Sequence, residues 1–425
     1  MKFTLAMLGA IIAAFIVGAF TPETSWLITV YDLIGTLFIN ALKMIVIPLV
    51  MTAIIKSLME ISVKESLGAL GAKTALFYTF TTFMACATGL LVINWIKPGI
   101  INGIPGADAL GLPGVGAETL EKVTGHSGGE FLKTITNIIP PNLIEAAATN
   151  QILGLIFFSI LVGVFLRKMS TPAAESLKSG ISGFYELILS ITNAIIYLAP
   201  IGVFALIAEV AATTGLSSIK PMLVFMGAVM LALGLHAFVT LILTIRLIAR
   251  RSGIRHLSAM TPALLTAFST ASSSATLPVS LRCVQERSYV SKRVSSLVLP
   301  LGATINMDGT ALYECAAVLF IAQAYGLDLT LAQQVLVVFL SLATSFGVAG
   351  VPAASLVAIT LILGTLGLPA EAIGLIMVTD RLLDMLRTAV NIWGDSVGAV
   401  VLARLEGEEE VLSRPPEDFE LGTTA

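Results

Sequence analysis

Long apolar stretches dominate the hydrophobic pattern of this 425-residue chain. Most are as long as the roughly 20 residues that a helix needs to cross a bilayer, or longer. Membrane-spanning β-strands need only about 10 residues each, so the pattern favours helices over a barrel. The chain is therefore predicted to be an all-α polytopic membrane protein. The apolar runs are Phe3–Phe20, Ile28–Leu58, Ala75–Trp95, Leu132–Leu166, Phe184–Ala212, Met222–Ile248, Val294–Ala324, Leu331–Leu368 and Ala370–Leu402.

Composition supports a membrane protein and excludes several soluble classes. Apolar residues make up 56% of the chain and charged residues 12%, and the mean hydropathy is +0.94. Soluble domains carry about 25% charged residues, so a cytosolic enzyme and a disordered chain are excluded. The net charge of −3 provides no basic excess for nucleic acid. Cys86, Cys283 and Cys315 lack metal-ligand or disulfide spacing and are expected to be inert buried thiols.

Basic residues between the apolar runs determine the predicted orientation. Four arginines crowd residues 246–255, whereas residues 21–29 contain no Lys or Arg. By the positive-inside rule, the basic connections and both termini are cytoplasmic and residues 21–29 lie outside. A signal peptide is the alternative for the first run, but no small-residue cleavage site precedes Thr21. The acidic tail 406–425 is expected to be a solvated and inert cytoplasmic end.

Two segments interrupt the apolar pattern. Thr266–Pro278 is too polar to face lipid, and Ser345–Ser355 contains two glycines and a proline, which disfavour helix. Irregular backbone at membrane depth must be surrounded by protein or water. Each segment precedes a helix with an asparagine, Asn306 or Asn391, so we predict paired re-entrant hairpins around a transporter binding site. The alternatives are a serine-rich cytoplasmic loop for the first and one kinked helix for the second.

The last apolar run carries a polar stripe that occupies about 100° of one helical face. Burying one ionised side chain at mid-membrane costs about 2.5–3.5 kcal/mol, so a charged stripe requires a role. An internal ion pair of Arg387 with one aspartate would still leave surplus acids, which indicates a bound cation or ammonium group. Arginine suits a carboxylate. The stripe consists of Asp380, Asp384, Arg387, Thr388, Asn391 and Asp395.

The Val294–Ala324 run contains two further acids, Asp308 and Glu314. Asp308 lies near Thr310, and we expect Gly309 to break the helix and free backbone carbonyls. These oxygen ligands suit a hard cation, and a kinked, capped helix is the alternative. Glu314 has no evident basic partner and is a proton-carrier candidate, the alternative being a bond to a neighbouring helix.

Several long and chemically unusual stretches occur in one order along the chain. They are LKMIVIPLV at 42–50, APIGVFALIAEV at 199–210, SSSATLP at 272–278, PLGATINMDGTALYE at 300–314, GVAGVP at 347–352 and DRLLDMLRTAVNIWGDSVGA at 380–399. Together they resemble the glutamate/aspartate transporter family, the dicarboxylate/amino acid:cation symporters. The resemblance implies eight transmembrane helices, two re-entrant helical hairpins, inverted repeats and an elevator-type homotrimer in the lipid of a prokaryotic inner membrane.

The resemblance also implies a fixed scaffold and a moving transport domain. The scaffold holds the trimer, and the transport domain carries the site across the membrane while the second hairpin gates it. The implied boundaries are scaffold 1–70 and 132–215, transport domain 71–100 and 216–405, hairpins at about 257–288 and 331–367, extracellular loop 101–131 and tail 406–425.

The resemblance further assigns a site for L-aspartate or L-glutamate. Arg387 would hold the substrate side-chain carboxylate, Asp384 the ammonium group, and Asn391 the main carboxylate. The presence of both Arg387 and Asp384 favours an acidic amino acid over a neutral one or a C4-dicarboxylate. The remaining substrate residues would be Ser273, Thr310, Val351 and Thr388.

Three sodium sites are implied by the same resemblance, and no other cofactor. Tyr78, Thr81 and Thr82 of the third site share one helical face by their spacing. Glu314 matches the proton-carrying glutamate of mammalian members. The three sets are Gly302, Asn306, Asn391 and Asp395; Thr304, Ser345, Phe346 and Val348; and Tyr78, Thr81, Thr82, Asn306 and Asp308.

Ala271 and Met385 depart from the family pattern, because relatives carry an arginine at one position or the other. The function expected is symport of an acidic amino acid with sodium, and with protons as a further coupling ion. Alternatives are a proton-coupled glutamate or C4-dicarboxylate symporter and an anion channel, although no ring of pore charges is evident. An intramembrane enzyme is a third alternative, but no histidine accompanies a catalytic motif, and His236 is expected to be a satisfied core residue.

Overall fold

A computed structural model of the chain shows an architecture of long helices. It describes residues 2–22, 24–60, 65–107, 139–148, 152–214, 219–345, 354–369 and 372–414. Within these residues the apolar runs form helices, which confirms the helical rather than barrel prediction. The helices are α1 (Lys2–Ala19), α2 (Trp26–Glu60), α3 (Glu65–Ile96), α4 (Leu143–Ala148), α5 (Ile152–Lys168), α6 (Pro172–Tyr197), α7 (Ala199–Thr214), α8 (Ile219–Leu235), α9 (Gly253–Thr270), α10 (Ser273–Arg282), α11 (Lys292–Ile305), α12 (Asp308–Ala324), α13 (Leu331–Ser345), α14 (Ala354–Thr365) and α15 (Ile373–Leu405).

Helix α8 continues as π-helical turns at His236–Thr240 and Ile245–Ala249, on either side of the α-helical turn Leu241–Thr244. A further π-helical turn, Cys283–Arg287, extends α10. Three helical stretches in the described part of the chain are long and apolar enough to cross a membrane: Ala69–Ile96, Pro221–Ala249 and Lys292–Ala324.

One short β-ribbon departs from the all-α prediction. Strands β1 (Ile100–Ile101) and β2 (Ile104–Pro105) pair in antiparallel fashion, with Ile100 opposite Pro105. The ribbon follows α3 where an irregular extracellular loop was expected. Residues 108–131 of that predicted loop lie outside the described residues.

The helices pack in two groups. In the first group, α1 packs against α7, and α2 packs against α5, α6 and α7. In the second group, α15 contacts α8, α9, α11 and α12, while α3 packs along α12. The groups meet where α1 and α7 contact α15 and where α2 contacts α14. Every residue of α12 except Gln323 is buried, so this helix forms the centre of the second group.

Helices α9 and α10 form a helix–turn–helix at the first predicted hairpin. Ala271 has a left-handed backbone with φ +49°, which reverses the chain direction. The Ser272 hydroxyl then accepts a hydrogen bond from the Ala275 amide at 3.3 Å and caps α10. At the second predicted hairpin, α13 and α14 flank residues 346–353, which lie outside the described residues.

The interruption between α11 and α12 lies at Asn306–Met307, so the prediction that Gly309 breaks the helix is wrong. Asn306 and Met307 have non-helical backbone angles, and α12 starts at Asp308. Gly309 lies in the first turn of α12 and permits a close helix contact. A Cβ there would lie 2.6 Å from the Arg387 carbonyl oxygen, closer than atoms can approach.

The prediction of a solvated tail is wrong at Val411 and Leu412. Val411 and Leu412 are 0% and 1% exposed, and the Leu412 amide donates a hydrogen bond to the Ser288 carbonyl at 3.0 Å. Residues 415–425 lie outside the described residues. The tail begins as a packed segment because arginines bind its backbone carbonyls, a pattern that composition does not reveal.

Gly18 and Gly9 of α1 provide a matched test of the α1–α7 contact. A Cβ on Gly18 would lie 2.5 Å from the Ala208 carbonyl oxygen, whereas nothing lies within 4 Å of a Cβ on Gly9. Gly18→Ala should lower the melting temperature of the purified protein, since overpacking costs about 1–3 kcal/mol. Gly9→Ala should leave it equal or raise it, because alanine favours helix. Equal melting temperatures for both variants would contradict the packing.

Candidate functional site

The polar stripe of α15 faces the interruption between α11 and α12. Asp380, Arg387, Asn391 and Asp395 are buried, and Asp384 is partly buried. Arg387 is among the largest wholly buried side chains of the described residues. Helix α15 packs against α8, α9, α11 and α12. The predicted stripe is therefore an interior polar surface.

Arg387 binds two aspartates of its own helix rather than one. Its Nη2 donates to Asp380 Oδ1 and to Asp384 Oδ1, each at 3.0 Å. The guanidinium carbon lies 3.9 Å from the centre of the Tyr313 ring, which stacks a cation on an aromatic face. Arg387 Nε and Nη1 are buried and have no hydrogen-bond partner among the described residues. The guanidinium thus retains donors for a further acceptor.

Asp384 and Thr388 have different local roles. Asp384 Oδ2 lies 3.5 Å from Arg381 Nη1, so two guanidinium groups border this carboxylate. The Thr388 hydroxyl donates to the Asp384 carbonyl at 2.8 Å, within its own helix. Arg381 therefore contacts the carboxylate predicted to bind the substrate ammonium group.

Asn391 links α15 to the start of α12. Its Oδ1 accepts hydrogen bonds from the Gly309 amide at 2.8 Å and the Thr310 amide at 3.4 Å. Its Nδ2 donates to the Thr310 hydroxyl at 3.1 Å. The first amides of a helix have no partner inside that helix. Asn391 therefore caps α12 and brings two predicted substrate residues, Asn391 and Thr310, into contact.

A second cluster lies where α3 crosses the same interruption. The Thr82 hydroxyl donates to Asp308 Oδ1 at 2.7 Å. The Thr81 hydroxyl lies 3.3 Å from both Asn306 Oδ1 and Asp308 Oδ1. The Tyr78 hydroxyl lies 3.0 Å from the Val298 carbonyl oxygen. The structure thus assembles the residues predicted for the third sodium site from three elements.

Asp395 joins this cluster through Asn306, whose Nδ2 donates to Asp395 Oδ1 at 2.9 Å. Two glycines make room for the carboxylates. A Cβ on Gly302 would lie 2.5 Å from Asp395 Oδ1, and one on Gly394 would lie 2.7 Å from Asp308 Oδ2. Both positions require glycine, because any side chain would displace a carboxylate oxygen.

The donor set of this cluster suits a small hard cation. It provides carboxylate oxygens of Asp308 and Asp395, the amide oxygen of Asn306 and the hydroxyls of Thr81 and Thr82. In the described part of the chain, both carboxylates contact neutral hydroxyl or amide groups and one histidine. Buried carboxylates are costly unless their charge is compensated, and oxygen ligands suit a hard cation. The cluster therefore favours a bound cation.

His236 is the residue that sequence reasoning underestimated. Its Nε2 lies 3.2 Å from Asp308 Oδ2, and both side chains are fully buried. It follows α8 in a π-helical turn, a feature that is frequent at functional sites. In the sequence, His236 is a single histidine in an apolar run, and an inert core residue would give the same pattern.

Of the predicted second sodium site, the structure describes only Thr304 and Ser345, so this site stays a prediction. The Thr304 hydroxyl donates to the Leu301 carbonyl at 2.8 Å, and the Ser345 hydroxyl to the Leu342 carbonyl at 2.8 Å. Both hydroxyls are thus bound within their own helices. Phe346 and Val348, and the substrate residue Val351, lie outside the described residues.

Ser273 lies at the start of α10 and is 4% exposed. Helix α10 packs against α15, so the serine-rich turn belongs to the second helix group. The three cysteines are free and buried, as predicted.

Glu314 bridges two helices. Its Oε2 accepts a hydrogen bond from the Thr344 hydroxyl of α13 at 2.8 Å. Its Oε1 is buried and has no hydrogen-bond partner among the described residues. A neighbouring helix thus supplies one bond, as the alternative interpretation held, while the second oxygen stays available for a proton.

Comparison with known proteins identifies the family. The profile of the sodium:dicarboxylate symporter family matches residues 3–405. The proton/sodium-glutamate symport protein of Geobacillus stearothermophilus is 33% identical over 401 residues, covering 94% of this chain and 93% of that protein. The proton/glutamate-aspartate symporter of Escherichia coli K12 is 33% identical over 418 residues, covering 95% and 93%.

A eukaryotic relative matches over a similar extent. The putative sodium-dependent excitatory amino acid transporter glt-4 of Caenorhabditis elegans is 35% identical over 412 residues, covering 87% of this chain and 82% of that protein. The residues that the family profile matches include the α15 stripe and the α11–α12 interruption. The chain therefore belongs to the sodium:dicarboxylate symporter family, a family of membrane transporters and not of enzymes.

Proposed function

We propose that this protein imports L-aspartate or L-glutamate together with sodium ions. The observation that carries the proposal is the buried guanidinium of Arg387, which keeps two donor groups without a partner beside Asp384. A carboxylate accepts paired hydrogen bonds from a guanidinium fork, and Asp384 can accept from an ammonium group. A neutral substrate would leave these two buried donor groups without an acceptor, which is costly in a buried site.

Cation binding is joined to this site by shared elements. Asn306 and Asp308 of the cation cluster adjoin Gly309 and Thr310, which Asn391 binds. A cation that orders Asn306 and Asp308 would therefore also order the start of α12. Substrate and sodium would then raise each other's affinity, which is the reciprocity that coupled transport needs.

Glu314 supports proton coupling as a second component of the transport mechanism. Its unpartnered Oε1 lies in the buried centre of the second helix group. A carboxyl group in such a place carries a proton more readily than a charge. Names of bacterial relatives include both proton and sodium symport. We therefore infer that Glu314 carries a proton beside the sodium ions.

The two helix groups suggest which parts move. We infer that the first group forms the trimeric scaffold and the second, with both hairpins, forms the transport domain that moves as an elevator. The substrate and cation residues all lie in the second group, and the contacts between groups are confined to a few helices. By the positive-inside rule, the basic connections and both termini lie on the cytoplasmic side of an inner membrane.

Replacing Arg387 tests the substrate assignment. Proteoliposomes that contain Arg387→Ala or Arg387→Lys should lose at least about 100-fold in labelled aspartate uptake under a sodium gradient, because the carboxylate fork is gone. Arg282→Gln is the control, since its ion pair with Glu286 is largely exposed and is worth little. Normal uptake by either Arg387 variant, in a protein that still melts cooperatively, would contradict the assignment.

Replacing Thr82 tests the cation cluster. Thr82→Val should raise the sodium concentration for half-maximal uptake by about 10-fold, because a hydroxyl that contacts Asp308 is lost. Thr79→Val on the same helix is the matched control, since its exposed hydroxyl bonds only to the Ala75 carbonyl. Equal sodium dependence of the two variants would remove Thr82 from the cation site.

Replacing Glu314 separates the two coupling ions. Glu314→Gln should retain sodium-driven aspartate uptake but lose substrate-dependent acidification of the liposome lumen, measured with an enclosed pH dye. Glutamine is similar in size and cannot exchange a proton. Acidification that persists in the variant would assign the proton to another group, whereas loss of both signals would show that Glu314 is needed for transport itself.

A further inference from the structure

We propose that residues Glu406–Arg414 form a strap that fixes the base of the α9–α10 hairpin and thereby positions the serine-rich turn at the substrate site. The strap lies immediately after α15, so the helix that carries the substrate residues and the segment that holds the hairpin are continuous. The role in substrate positioning rests on the proposed function. The proposal that the strap holds the base of the hairpin does not depend on the proposed function.

Arginines from three places bind successive backbone carbonyls of the strap. Arg404 Nη1 donates to the Glu408 carbonyl at 2.8 Å. Arg251 donates through Nη2 to the Glu409 carbonyl and through Nε to the Val411 carbonyl, each at 2.7 Å. Arg255 Nη1 donates to the Leu412 carbonyl at 2.9 Å. Irregular backbone needs such partners when it packs against protein.

The other end of the hairpin is held by the same segment. The Ser291 amide donates to Glu408 Oε2 at 3.0 Å, and its hydroxyl donates to Glu408 Oε1. The Leu412 amide donates to the Ser288 carbonyl. Arg251 and Arg255 flank the start of α9, and Ser288 and Ser291 follow the end of α10. The strap therefore closes the open end of the hairpin.

Glu406 anchors the strap to the rest of the second helix group. Its carboxylate lies 2.7 Å from Lys73 Nζ of α3 and 3.0 Å from Arg293 Nη2 of α11. The Lys73 ammonium, followed by the Arg293 guanidinium, holds the pKa of Glu406 below its ordinary value. The carboxylate is therefore ionised at neutral pH, and these ion pairs are lost only as the pH falls through that lowered pKa.

The length of α9 makes the position of the hairpin tip sensitive to the position of the hairpin base. Helix α9 has 18 residues, so its tip lies about 27 Å from its base. A tilt of only about 5° at the base would move the turn at Ser272 by about 2 Å, which is comparable to the difference between a bound and a lost hydrogen bond.

Packing of α9 along α15 is the competing explanation for a fixed hairpin. The His256 ring lies 5.0 Å from the Trp393 ring, and its Nε2 lies 3.1 Å from the Ser396 hydroxyl. If this contact alone held the hairpin, loss of the strap would leave the tip unchanged. The experiment must therefore measure the tip directly and not only transport.

Two truncations test the proposal in the full-length background of Ala275→Cys, a reporter at the exposed start of α10. The three native cysteines are buried, so the labelling rate with a maleimide in detergent reports this tip. A chain that ends at Glu406 should label about 10-fold faster, because local opening becomes easier when its contacts are lost. A chain that ends at Arg414 should label at the unaltered rate.

A pair of point variants tests the strap even if the shorter chain does not fold. Leu412→Asn should increase labelling and raise the KM for aspartate more than it lowers the maximal rate. Ser413→Asn at the adjacent exposed position should do neither. Unchanged labelling in a folded Leu412→Asn protein would overturn the strap. Faster labelling without any aspartate transport in the parent chain would instead refute the proposed substrate and leave the strap standing.

Discussion

The need to satisfy polar groups buried among apolar helices controls the centre of this protein. The interruption at Asn306–Met307 leaves helix-end groups at that point, and α15 supplies Asn391 to cap α12. Asp308 and Asp395 then require their own donors, which α3 and Asn306 provide. Asn391, Asp308 and Asp395 are thus each bound by a partner on another element, and removal of such a partner would leave a buried group unpaired.

The same network gives the site its chemical character. Arg387 balances two aspartates and stacks on Tyr313, yet retains unbonded donors. The cation cluster has carboxylates whose partners are largely neutral. One region therefore offers a place for a carboxylate and the neighbouring region a place for a cation. Both regions bind the first turn of α12, and this shared element supports the proposal that substrate and cation order each other's site.

Helix ends contribute as much to the architecture as the helix centres do. The strap after α15 brings together the ends of α8, α9, α10 and α11 through arginines and Glu408. Its composition is that of a solvated acidic tail, yet its backbone carbonyls are the groups that bind. Sequence patterns report side chains, so an interaction made by backbone groups leaves no signature in them.

The sequence alone determined the helical membrane class, the inward-facing stripe of α15 and the residue types of the site. These follow from local properties: apolar run length, helical spacing and the cost of burying charge. Only the tertiary structure decided the rest. It placed the helix break at Asn306–Met307, set His236 against Asp308, and docked the strap on the hairpin. These features depend on contacts between residues far apart in the chain, which spacing along one helix cannot specify.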